Sequence, residues 1–174
     1  GPNRDQDKEL VMLNRTIRWG EQGITWTADK RHTEVILEQP GLEEAKGVAA
    51  PCDESIKELR MAKDGGRGVD PQEATWYRSL VARTNYLSSD RADVQFTTRA
   101  LSKAMSDPTK EAISHLRHLG RYFRRLPTLD LLYKWGHGSN EITIQSDSDW
   151  AGNRTDRKSL SGGAACFGGN LVKT

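Results

Sequence analysis

Residues 70–87 read DPQEATWYRSLVARTNYL, and the fold turns on them. Asp70 followed by Pro71 puts a side-chain cap ahead of a proline at the first helical position, and Glu73 stands at the capping-box position. Tyr77, Leu80, Val81 and Leu87 then recur at helical spacing, which predicts an amphipathic helix with one buried stripe. Two further start signals follow. Ser89 is expected to cap a second helix with an inner face of Val94, Leu101, Ala104 and Met105, and Asp107-Pro108 is expected to open a third. The third carries a stripe of Ile113, Leu116, Leu119, Phe123 and Leu126 and is closed by Pro127. Short connections between the three predict a compact helical unit over residues 71–135.

Upstream, Val11, Leu13, Ile17 and Trp19 read as one alternating face, Gly20 to Gly23 as a turn, and Ile24 and Trp26 as the returning arm of a hairpin. Asp29 can cap a short helix with Val35, Ile36 and Leu37 on its apolar side, stopped by Pro40-Gly41. Residues 42–70 hold few large apolar side chains and include Lys63-Asp64-Gly65-Gly66-Arg67-Gly68. They are expected to form a largely flexible linker, with a weak helix near Asp53 to Ala62.

Downstream of Pro127 the period changes to two. Leu129, Leu131 and Tyr133 alternate, Gly136 to Asn140 offers a turn, and Ile142 and Ile144 alternate up to Ser146-Asp147. Ser161 to Phe167 and Leu171 to Thr174, joined by Gly168-Gly169-Asn170, complete three strands. The expected class is α+β. It comprises an N-terminal β-hairpin and short helix (1–41), the linker (42–70), the three-helix unit (71–135) and a C-terminal sheet of three strands (136–174).

The 174 residues are 35% apolar and 29% charged, with a mean hydropathy of −0.74. No window approaches the roughly 20 apolar residues of a membrane span, and the N-terminus lacks the apolar core of a signal peptide, so no membrane partner is expected. Cys52 and Cys166 lie far apart without metal-ligand spacing and read as reduced thiols of an intracellular protein, cytoplasmic or nuclear. Charge is uneven: residues 71–135 hold 11 Lys+Arg against 6 Asp+Glu.

Much of that excess lies on the third helix. At 100° per residue, Lys110, Arg117, Arg121, Arg124 and Arg125 share the face opposite the apolar stripe. Cations at helical spacing suit a phosphate backbone, because they displace counterions without reading bases; a solvated face is the competing reading. His115 and His118 lack an acidic or cysteine partner at ligand spacing, so they read as phosphate-adjacent or plain surface histidines rather than metal ligands. The five tryptophans read as packing residues.

Two stretches carry a resemblance. One is Glu73 to Leu87 with Asp90-Arg91-Ala92-Asp93-Val94-Gln95-Phe96 and Leu101-Ser102; the other is Ser146-Asp147-Ser148-Asp149-Trp150-Ala151-Gly152 with Arg157-Lys158-Ser159-Leu160-Ser161-Gly162-Gly163. Together they resemble the polyprotein of copia-type LTR retrotransposons where the reverse transcriptase thumb and connection run into RNase H. Leu13 to Trp19 and the Arg31-His32 helix look like the segment after the polymerase palm. The resemblance implies an RNase H-like character for the C-terminal strands. It also implies a catalytic, Mg2+-binding role for Asp147, with Asp149 a secondary candidate. The family's other carboxylates lie on later elements and the chain stops at Thr174, so an incomplete, inactive site is expected, with Mg2+ bound only in a complete RNase H domain.

The partners implied are an RNA-DNA hybrid or template-primer duplex and the rest of the polyprotein. Uncovered strand edges add a possible homodimer. The alternative is a non-enzymatic, domesticated module that binds nucleic acid or protein through its helices.

Overall fold

A computed structural model describes residues 8–59, 66–136, 140–149 and 159–174, and the chain is mixed α+β, with four α-helices and two antiparallel sheets among those residues. It divides into two units, residues 28–129 and the two flanking segments taken together.

The helical unit holds α1 (Lys30–Glu38), α2 (Pro71–Ser88), α3 (Gln95–Lys103) and α4 (Lys110–Arg125). As expected, Asp29 caps α1 by accepting from Arg31 N, and Asp70 caps α2 by accepting from Gln72 N and Glu73 N. Two cap assignments are corrected. Ser89 closes α2 rather than opening α3, which instead grows from a 3-10 turn at Ala92–Val94. The start of α4 lies beyond Asp107-Pro108, at buried Thr109, whose hydroxyl accepts from Ala112 N. Tyr77, Leu80, Val81, Leu87, Val94, Leu101, Leu116, Leu119 and Phe123 form a common core with Ile36 of α1. The short helix of the N-terminal segment therefore belongs to this unit.

Residues 42–59 are corrected too: they pack on the helical unit, 42–53 along α4 and the turn that follows beside α3, instead of forming a flexible linker. Leu37, Val48 and Leu59 lie against the core, and the 3-10 turn Glu54–Glu58 buries Ile56. The expected weak helix is thus a single 3-10 turn closed at Leu59, and residues 60–62 lie outside the described residues.

In the second unit the N-terminal hairpin is a three-stranded run: β1 (Glu9–Met12), β2 (Arg15–Trp19) and β3 (Gly23–Thr27). The alternation assumed from Val11 to Trp19 is broken because Leu13 and Asn14, both at positive φ, make a two-residue turn between Met12 and Arg15. β4 (Asp130–Lys134) pairs with β3, so these residues join the N-terminal strands and not the helices with which the sequence grouped them. Ile17 opposes Trp26, which opposes Leu131, and Trp19 opposes Ile24, which opposes Tyr133, so one face of this sheet is apolar. Trp76 packs against the helical core, and Trp19 and Trp26 are half-buried on the apolar face of the sheet; Trp135 donates from Nε1 to Gly20 O at 2.9 Å, and Trp150 lies outside the described residues.

The expected C-terminal strands form a separate sheet of β5 (Ile142–Asp149), β6 (Leu160–Phe167) and β7 (Asn170–Lys173) in that order. The Asn170 amide couples the sheets by accepting from Lys134 N at 2.7 Å and donating to Lys134 O at 3.2 Å, as a backbone partner would. Ile142 and Ile144 are exposed on β5.

Candidate nucleic-acid interface

Amphipathicity sets the orientation of α4. Its apolar stripe, Ile113, Leu116, Leu119 and Phe123, is buried, and the opposite face is turned outward and rigidly backed. That face carries all five cations picked out in the sequence, but the structure divides them into three groups.

Lys110 Nζ is ion-paired with Glu73 Oε2 of α2. Arg117 and Arg125 are exposed, and no polar partner engages their guanidinium groups among the described residues. Arg121 and Arg124 are engaged by the segment preceding the 3-10 turn: Arg121 Nε donates to Lys46 O at 2.8 Å, and Arg124 Nε donates to Glu43 O. The same segment sends Val48 N to Arg121 O at 3.3 Å. It reaches Ala50, whose carbonyl lies 3.1 Å from His118 Nε2, and Asp53, whose carboxylate is 3.9 Å from His118 Nδ1.

Two glycines allow this approach. A Cβ at Gly47 would lie 2.8 Å from Arg125 Cβ, and one at Gly120 would lie 2.5 Å from Leu42 Cδ1. This packing could not be read from the sequence, where residues 43–50 lack large apolar side chains; the Gly at 120 inside a helical pattern was the one local hint.

Asp53 faces both histidines. Hydrogen bonding from Ser55 holds its carboxyl below the usual range, with smaller help from His115 and His118, while burial pushes the His115 imidazole down. Among the described residues no group of three His, Cys, Asp or Glu side chains is placed to hold a metal ion.

Asp147 lies on β5 opposite Gly162 of β6 and is exposed. Asp149 is in register with Leu160, and its side chain lies outside the described residues. Mg2+ requires near-octahedral oxygen ligation and gives up its water reluctantly. One exposed carboxylate does not supply that donor set, so the described residues do not fit a magnesium site.

Sequence comparison relates this mixed α+β segment to retroelement polyproteins. The chain is 30% identical over 135 residues to the Retrovirus-related Pol polyprotein from transposon RE1 of Arabidopsis thaliana, a match covering 78% of this chain and 9% of that protein. It is 25% identical over 163 residues to an uncharacterised mitochondrial protein of the same plant, covering 92% of this chain and 64% of the relative. The chain is thus a homologue of copia-type retrotransposon polyprotein sequence, of which it spans a small part. No protein-family model and no solved structure matches it.

Proposed function

We propose that this segment of a retroelement polyprotein lies against the backbone of a nucleic-acid duplex, an RNA-DNA hybrid or template-primer, through the outward face of α4. The observation that carries the reading is the exposure of Arg117 and Arg125 on a helix fixed by its buried stripe. A guanidinium held in this way contacts phosphate without ordering a loop, and such contacts are indifferent to sequence. Relatedness to a Pol polyprotein supports a duplex over an unspecified anion.

The reading extends to β5–β7 as the start of an RNase H-like sheet, with Asp147 the descendant of a metal-ligating carboxylate and Asp149 its secondary companion. Mg2+ binding and hybrid cleavage, like reverse transcription, belong in this reading to the whole polyprotein. Exposed Leu10, Val11 and Met12 on the edge strand β1 support a further partner, a second copy or another part of the polyprotein. The proposed setting is intracellular, in cytoplasm or nucleus.

Fluorescence anisotropy on two duplexes of unrelated sequence tests the interface. Equal affinities that fall steeply with salt are expected, and Arg117→Gln with Arg125→Gln should flatten the log–log slope by about 2. An unchanged slope would return the helix to a merely solvated face.

A further inference from the structure

Residues 42–53 run along α4, with an apolar anchor at each end of the segment: Leu42 against Gly120, and, just beyond it in the 3-10 turn beside α3, Ile56, which is 3% exposed. Between the anchors Val48 rests against the edge of the core, and the hydrogen bonds to α4 involve the guanidinium groups of Arg121 and Arg124. This stretch is also of opposite charge to the helix. Residues 43–58 contain five carboxylates against two lysines, whereas α4 has five cations against one carboxylate.

We propose that residues 43–53 form a displaceable strap that occupies Arg121 and Arg124 in place of phosphate. The basic face then has a closed form with two free arginines, Arg117 and Arg125, and an open form with four. The inference rests on the reading of α4 as a backbone-binding face.

Phosphate can take the place of the strap once it lifts, but the Val48 N–H bond to Arg121 O and the close packing at Gly47 and Gly120 keep the strap seated on the wild-type chain. In the closed form each of the two strapped guanidinium groups donates from Nε to a neutral carbonyl, whereas phosphate offers an ionised oxygen and a bidentate geometry that guanidinium matches better. The strap's negative charge opposes duplex binding while it is seated and is carried away from the phosphates when it lifts. Leu42 and Ile56 hold the ends, so lifting the middle withdraws only one half-buried apolar side chain, Val48, from the edge of the core.

Salt titration of duplex affinity tests the strap in the wild-type chain, in Gly47→Val and in Val48→Pro. The first substitution forces the strap away from Arg125. The second removes the N–H that bonds Arg121 O. Neither alters a cation.

Both variants should be cut faster by protease within 43–53, keep their helical circular dichroism, and steepen the log–log salt slope by about 2, one for each arginine released. Gly47→Val combined with Arg121→Gln and Arg124→Gln should return to the wild-type slope. Faster cleavage with an unchanged slope would overturn the strap. So would a wild-type slope that already flattens by about 2 on Arg121→Gln with Arg124→Gln, which would leave the backbone-binding reading standing. Absence of salt-dependent duplex binding in every form would overturn that reading and the strap with it.

Discussion

Arg91 and Asp93 form a two-bond fork inside the helical unit, Nε to Oδ1 at 2.9 Å and Nη2 to Oδ2 at 2.7 Å, with the Arg91 side chain only 1% exposed. The remaining donors of Arg91 reach Leu126 O and Pro127 O, just past the end of α4, and its guanidinium carbon lies 5.3 Å from the centre of the Phe123 ring. Tyr122 completes the cluster by donating its hydroxyl to Asp93 Oδ2 at 2.8 Å. One buried arginine thus ties the α2–α3 connection to the carbonyl end of the basic helix, where a positive charge is favoured by the helix dipole.

Removing Arg91 leaves the Asp93 carboxylate with only the Tyr122 hydroxyl of its side-chain partners and takes the guanidinium from the carbonyls of Leu126 and Pro127. Arg91→Ala is expected to lower stability by about 3 kcal/mol in urea denaturation. Arg91→Lys should recover less than half of the loss, because an ammonium cannot make the planar fork. A loss below about 1 kcal/mol for Arg91→Ala would mean that the cluster relaxes around the gap.

Stability should also depend on pH in a definite direction. Hydrogen bonds from Arg31, Ser55 and the Glu73 amide lower the carboxyl pKa of Asp29, Asp53 and Asp70 respectively; at Asp93 burial pushes the carboxyl up, but the bonds from Arg91 and Tyr122 more than reverse it. The unfolded chain therefore takes up protons that the folded chain refuses as pH falls below about 4, and stability is lost. Burial lowers the His115 pKa, which starts the same loss earlier, below about pH 6.5. Burial raises the phenol pKa of Tyr77, and burial together with the bond to Asp93 raises that of Tyr122. Above about pH 10 the unfolded chain ionises first and stability falls again. Melting temperature against pH should trace this dome. A flat profile between pH 5 and 7 would remove His115 from the account.

The turn between β1 and β2 stores strain. Leu13 at φ 50° and Asn14 at φ 62° both occupy the left-handed region, which a leucine disfavours and an asparagine tolerates. Leu13→Asn should stabilise the chain by about 0.5–1 kcal/mol, since Leu13 is 72% exposed and loses little packing. A destabilised variant would show that Leu13 has a packing partner.

Asp147 separates a structural role from a functional one. It is exposed on β5, so Asp147→Asn should change stability by less than about 0.5 kcal/mol. Adding millimolar Mg2+ should shift the melting temperatures of wild type and Asp147→Asn equally, and neither should cleave an RNA-DNA hybrid. A magnesium-dependent stabilisation lost in Asp147→Asn would show a formed metal site.

The helices were legible because their cues are local: Asp70-Pro71 and the periodic stripe of α4 specify start and face with no knowledge of the rest of the chain. Caps were misplaced where two polar residues competed, as at Asp107 and Thr109, and the burial of Thr109 that decides between them is a tertiary property. The β1–β2 turn escaped notice because a leucine occupies a position usually given to Gly or Asn. The five cations of the site were found from the helical period alone. That Lys110, Arg121 and Arg124 are already engaged depends on Glu73 and on the carbonyls of Glu43 and Lys46, and backbone acceptors leave no trace in residue type.

The central claim is that α4 presents its arginines to a phosphate backbone, and the salt dependence of duplex affinity after removing all four tests it most directly. In the quadruple variant Arg117→Gln, Arg121→Gln, Arg124→Gln and Arg125→Gln, whose substitutions lie on the outward face, helical content should be kept. Duplex affinity at low salt should collapse, with the log–log slope flattened by at least about 2. A quadruple variant that binds the duplex as the wild-type chain does, with the same slope, would contradict the claim.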